Sequence, residues 1–177
     1  MIYSIGFRLF KIFSLRWLLT VCICGLLLVG NSFPAFAAVT QIEEYPGQML
    51  YQSRQSLQDH DGKTWQAIAF KRIHPEGSST VSLRLMSSLG GAAVDHTQPL
   101  TLTTSLGKTL TAQDISNDIS QDIPAPATVG EYDIKLALSQ LRAEIPLLLT
   151  VPTLNGKSVG LSVPYAAIQE WQTLASS

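Results

Sequence analysis

The chain has 177 residues, 46% of them hydrophobic and 14% charged, with 12 basic against 13 acidic side chains and a formal net charge of −1. At one domain per roughly 100–200 residues, this length gives one domain with a tail. The near-balance of charge excludes a polybasic nucleic-acid binder and an acidic disordered tail.

Arg8, Lys11 and Arg16 precede an apolar run from Trp17 to Val29, followed by Gly30, Asn31, Pro34 and the small-residue pattern Ala35-Phe36-Ala37. A basic region, an apolar core and an A-x-A end are the three parts of a signal peptide. The core is shorter than the ~20 apolar residues that span a bilayer. The expectation is therefore cleavage between Ala37 and Ala38. The alternative is an uncleaved N-terminal anchor, extended upstream by Ile2, Ile5, Phe7 and Phe10 but interrupted by the basic residues. Both cysteines, Cys22 and Cys24, lie inside this core. Val21 and Ile23 precede them where lipid attachment needs a small residue. The expected exported body, residues 38–177, has no cysteine and carries 9 Lys/Arg against 13 Asp/Glu. A domain of that size buries about two-thirds of its unfolded-chain surface and needs no disulfide. No twin-arginine pair is present, so passage as an unfolded chain is expected.

In chain order, Gln48–Gln58 and Thr64–His74 read as strands joined at Asp61-Gly62, a strong hairpin signal. A two-residue turn there pairs positions whose numbers sum to 123. Met49, Tyr51, Leu57, Ile68 and Phe70 then share one face, and Leu50, Trp65, Ala67, Ala69 and Ile73 the other. Both faces are partly apolar, which marks the second strand as central. After the turn Pro75-Glu76-Gly77, Val81, Leu83 and Leu85 alternate with Thr80, Ser82 and Arg84 as a third strand. Residues 87–98, with Gly90-Gly91, read as a loop. Leu100–Thr104 and Lys108–Ala112 form two Thr-rich strands around Leu106-Gly107.

Residues 113–130 are an irregular Asp/Ser/Pro-rich connection with at most a helical turn. Asp133 caps a short helix with the stripe Ile134, Ala137, Leu138 and Leu141, ended by Pro146. Leu147–Val151 and Lys157–Val163 make a last hairpin around Asn155-Gly156, with Pro152 favouring an edge. Pro164 opens a terminal helix that presents Ala167, Ile168, Trp171, Leu174 and Ala175 on one face. The fold class is α+β: an antiparallel sheet of about seven strands, in two or three hairpins, packed by one or two short helices.

The stretches YQSRQSLQDHDGKTWQAIAFKRIHPEG, PLTLTTSLGKTLTA, EIPLLLTVPTLNGKSVGLSVP and IQEWQTLA, in that order, resemble a small exported family of cyanobacteria, a domain of unknown function. The resemblance covers nearly all of the expected exported body. It implies a thylakoid-lumen or periplasmic location and supplies no catalytic residue.

Candidate chemistry is sparse. Asp59-His60-Asp61 is a tight group of potential metal ligands, but His60 sits at a turn and His74 at the far end of the returning strand. At ~3.3 Å of rise per residue the two cannot share an ion. Asp114, Asp118 and Asp122, each followed by isoleucine, recur every four residues; on a helix they stack as an acidic stripe, here read as the wet face of an amphipathic turn. Under the 123 pairing Tyr51 faces Arg72, with Lys71 on the reverse side. With Arg54 and Arg84 these make a candidate interaction surface, set against basic residues that guard sheet edges. Trp65 and Trp171 read as core. No G-x-S-x-G elbow or phosphate-cradling loop is present. The expectation is a non-enzymatic exported interaction or accessory domain without catalytic, cofactor or metal residues. Its partner is a membrane-associated protein complex, and nucleic acid is excluded. The alternatives are a carrier of a small apolar ligand and an unrecognised hydrolase.

Overall fold

The computed structural model describes residues 39–88, 90–118, 126–142 and 145–177. The expected cleavage position at Ala37 and Ala38, and Asp122, lie outside them. The described chain forms nine strands: β1 (Thr40–Tyr45), β2 (Gln48–Gln58), β3 (Thr64–Ile73), β4 (Ser79–Ser87), β5 (Leu100–Thr104), β6 (Thr109–Ala112), β7 (Val129–Asp133), β8 (Leu147–Pro152) and β9 (Ser158–Val163). A 3₁₀ turn covers Ser116–Asp118, and two helices follow, α1 (Lys135–Gln140) and α2 (Tyr165–Ser176). The strands divide into two antiparallel sheets, ordered β1-β2-β3-β4-β7 and β6-β5-β8-β9.

The α+β class read from the sequence stands, with the strands split between two sheets and two more of them than the alternation showed. Neither addition looks like a strand in isolation. β1 (TQIEEY) has exposed polar residues on an edge, and β7 (VGEYD) contains Gly, Glu and Asp, all poor strand formers. Central β3 is buried along most of its length, as its two apolar faces require.

The β2–β3 register differs from the expected one. Met49 pairs with Ile73 and Gln58 with Thr64, so partner numbers sum to 122 rather than 123. The reason is the turn. Asp59 carbonyl accepts the Gly62 N–H at 3.0 Å, and of the turn residues only Gly62 takes a positive φ, 75°. Asp59 Oδ1 accepts the Asp61 and Lys63 amides at 2.9 and 2.8 Å, and Oδ2 accepts the Trp65 indole N–H at 3.3 Å. The aspartate thus winds a type I-like turn one residue longer than the two-residue form. A one-residue slip exchanges faces. Tyr51 and Leu57 therefore join Trp65, Ala67 and Ala69, while Leu50 joins Ile68 and Phe70.

The main core lies between the sheets and the helices. Trp65, Leu83 and Leu85 from the first sheet meet Leu100, Leu102, Leu149 and Leu161 from the second. α2 contributes Ala167, Ile168, Trp171 and Leu174, the stripe expected of it, and α1 adds Ala137 and Leu138. Asp133 Oδ1 accepts the Lys135 N–H at 3.0 Å at the start of α1. At its other end, Gln172 Nε2 donates to the Leu141 carbonyl at 2.9 Å, supplying a partner to a chain end that helix geometry leaves open. Pro152 is not on an edge strand: β8 lies between β5 and β9. It is tolerated because β5 pairs only with Leu147–Thr150, so the missing N–H falls beyond that ladder.

Candidate functional site

The register sets out the outer face of the first sheet, the face turned from the main core. One row across β2, β3, β4 and β7 reads Arg54, Ile68, Arg84, Glu131; the next reads Gln52, Phe70, Ser82, Asp133. Directly opposed side chains in such rows are ~5 Å apart and interact. Leu50, Ile68 and Phe70 form a second apolar cluster with Met86 against it, and among the described residues no helix and no strand of the second sheet contributes to it.

Arg84 organises this face. Its Nη2 lies 2.7 Å from Glu131 Oε2, its Nε donates to the same oxygen at 2.7 Å, and its guanidinium sits 4.9 Å over the Phe70 ring. Ser82 Oγ donates to Glu131 Oε1 at 2.7 Å, so both carboxylate oxygens are occupied. The Glu131 side chain is 3% exposed and that of Arg84 30%. A carboxylate that deep persists only when paired and hydrogen-bonded. Ser82, on the face expected to be wet, is buried because it belongs to this network.

The structure brings Arg54, Arg72 and Arg84 to this face and places Tyr51 and Lys71 on the other. Tyr51 pairs with Lys71, not Arg72. Lys71 is 6% exposed, and its Nζ donates to the carbonyls of Ala175 and Ser177, holding the end of α2. Positive charge at a helix C-terminus complements the macrodipole. Ser53 Oγ and Gln55 Nε2, both donating to Glu170 Oε2, fasten the same helix to β2.

A groove of about 600 Å³ opens on the outer face near its β4–β7 side. Arg72 and His74 line it on the β3 side, Thr80 and Ser82 lie between, and Asp118 and Asp133 stand opposite.

A second polar group escaped the sequence reading. His96 Nδ1 lies 3.0 Å from Asp114 Oδ2, while Asp114 Oδ1 accepts the Ser116 N–H at 2.8 Å. Asp114 is bridged to Tyr132 rather than placed on a helix, so the expected acidic stripe does not form over its described part. The Tyr132 hydroxyl and His96 Nε2 are buried and meet no hydrogen-bond partner among the described residues. Burial, reinforced by the negative charges of Asp114 and Asp95, pushes the Tyr132 phenol far above its ordinary pKa. A His–Asp pair is part of a catalytic triad, in which a nucleophile lies within hydrogen-bond reach of the base; among the described residues no hydroxyl meets His96 Nε2. The pair ties the connection before β5 to the segment after β6. No spacing signal betrays it, because both residues lie in irregular chain. Among the described residues no three His, Cys, Asp or Glu side chains gather to hold a metal ion. Trp65 and Trp171, each at most 1% exposed, belong to the core.

A family model described as a protein of unknown function (DUF3122) matches residues 37–174. No curated protein and no solved structure matches the chain.

Proposed function

The chain belongs to the DUF3122 family, whose function is unknown, and we propose that it is an exported, non-enzymatic interaction domain docking through the outer face of its first sheet. The observation that carries this reading is Arg84: a partly exposed arginine fixed by a buried carboxylate and stacked on the buried Phe70 ring, in the same row as exposed Arg54. Arginine side chains held in place are over-represented in protein–protein hot spots, because little side-chain entropy remains to be lost on association. The occupant is a protein surface that covers the row beside Arg84 and sets a carboxylate against exposed Arg54. The N-terminal pattern and the cyanobacterial resemblance favour a partner at the lumenal or periplasmic side of a membrane. The carrier and hydrolase readings gain no comparable support.

The test is photocrosslinking in intact membranes, with the reactive amino acid placed at Arg54 or, as control, at exposed Thr173 on α2. Adducts to a discrete protein from position 54 alone, weakening with salt, are expected. No adduct from position 54, or the same adducts from both positions, refutes the reading.

A further inference from the structure

We propose that Asn155 is a modification site controlled by folding: its side-chain amide is preserved in the folded body and converted to aspartate or isoaspartate in the unfolded chain. Asn155 and Gly156 form the tip of the β8–β9 hairpin, and both are exposed. A glycine, having no Cβ, hinders least the attack of its own backbone nitrogen on the preceding side chain. In that reaction the Gly156 nitrogen bonds to Asn155 Cγ. The side-chain nitrogen leaves as ammonia, taking up the proton that the Gly156 amide loses. Water then opens the cyclic imide at either of its carbonyls. One opening leaves aspartate; the other leaves isoaspartate, whose main chain runs through the side-chain carbon and is one methylene longer.

The folded turn holds both reacting groups. The Gly156 N–H donates to the Thr153 carbonyl at 3.0 Å. Asn155 Oδ1 accepts the Lys157 N–H at 2.9 Å and the Thr153 hydroxyl at 2.6 Å. The turn is itself clamped by residues 93–95. The Leu154 N–H donates to the Ala93 carbonyl and the Asp95 N–H to the Pro152 carbonyl, each at 3.0 Å, and Val94 is bridged to buried Thr153. Ring closure must break the Gly156 bond and swing the Asn155 amide away from Lys157 and Thr153 while this clamp holds the backbone. The loss of these bonds slows the folded reaction by about tenfold or more. Unfolding releases all of them together. The isoaspartyl product lengthens a turn whose reach is fixed by the pairing of Pro152 with Ser158, so it cannot restore the register. The modification therefore marks copies that have stayed unfolded and makes their state irreversible.

This site belongs to the second sheet and is independent of the docking reading, which concerns the first. The test follows conversion in the full chain, held in mild detergent at mildly alkaline pH, with and without enough urea to unfold it. Peptide mapping reads aspartate and isoaspartate at position 155. Conversion in the folded protein is expected to be slower by about tenfold or more. Thr153→Val removes the hydroxyl that holds Asn155 Oδ1, so it should speed conversion in the folded state and leave the rate in urea unchanged. If that variant fails to fold, the wild-type comparison decides alone. On removal of urea, aspartyl copies should regain the native circular dichroism and isoaspartyl copies should not. Equal rates in folded and unfolded chains, a folded Thr153→Val that converts no faster than wild type, or isoaspartyl copies that refold like the rest, would each overturn the proposal.

Discussion

Replacing Gly130 by alanine sets a methyl group against the ring of Tyr132, two residues along the same strand and on the same face. The added Cβ would lie 2.6 Å from the phenol oxygen and 3.0 Å from Cε2 and Cζ. Ordinary van der Waals contact begins near 3.4 Å, so the oxygen must retreat by about 0.8 Å. Tyr132 is fully buried among core side chains and has nowhere to go. Overpacking of this kind costs about 1–3 kcal/mol, and we expect the upper half of that range. Tyr132→Phe supplies the control. Its hydroxyl has no partner, so deleting it should change stability by less than about 1 kcal/mol. It also removes the nearest clashing atom, so the alanine penalty should shrink by about 0.5 kcal/mol or more in the Phe background. Urea unfolding of the four proteins measures the cycle. A Gly130→Ala penalty under about 0.5 kcal/mol, or equal penalties in both backgrounds, would refute the packing argument.

Arg84→Ala leaves the Glu131 carboxylate buried without its cation and should cost about 3 kcal/mol, whereas a paired Arg84→Met, Glu131→Gln replacement should cost much less; thermal unfolding separates the two. Asp59 carries the acid sensitivity of the first hairpin. Burial raises its pKa, but the amides of Lys63 and Asp61 and the Trp65 indole outweigh that and hold it below the usual carboxylate value. Its contribution is therefore complete above about pH 4 and lost as pH falls through the depressed folded value, so Asp59→Asn should flatten the fall of Tm with acid, and an unchanged acid limb would count against it. Lys71→Met should cost about 1 kcal/mol and speed amide exchange in the last turn of α2 while leaving β3 protected. Equal exchange in both proteins would show that the lysine does not hold the helix end.

Periodicity carried the reading as far as local structure decides the outcome. The stripe of α2, the apolar side of β4 and the central place of β3 follow from residue spacing alone, because the same residues that alternate are the ones buried. The β2–β3 register did not, because it depends on how Asp59 spends its carboxylate oxygens, and a run such as Asp-His-Asp-Gly accommodates either turn. That one residue decided which arginines share a face. β7 is hidden because its glycine makes room for the Tyr132 ring two residues along, and its glutamate serves Arg84, a partner far away in the chain. The His96–Asp114 contact joins two irregular stretches, where no period exists to be read.

The order in which the chain visits its sheets constrains how it can be assembled. It lays down four strands of the first sheet, starts the second with β5 and β6, returns to the first for β7, and only then completes the second with β8 and β9. A growing chain stopped before residue 129 therefore displays two raw borders at once, one along β4 and one along β5, each a template for joining another molecule. Neither sheet can be finished ahead of the other by more than a few dozen residues, so the body should fold late and as one cooperative unit, and a partly made copy is the species most in need of a chaperone.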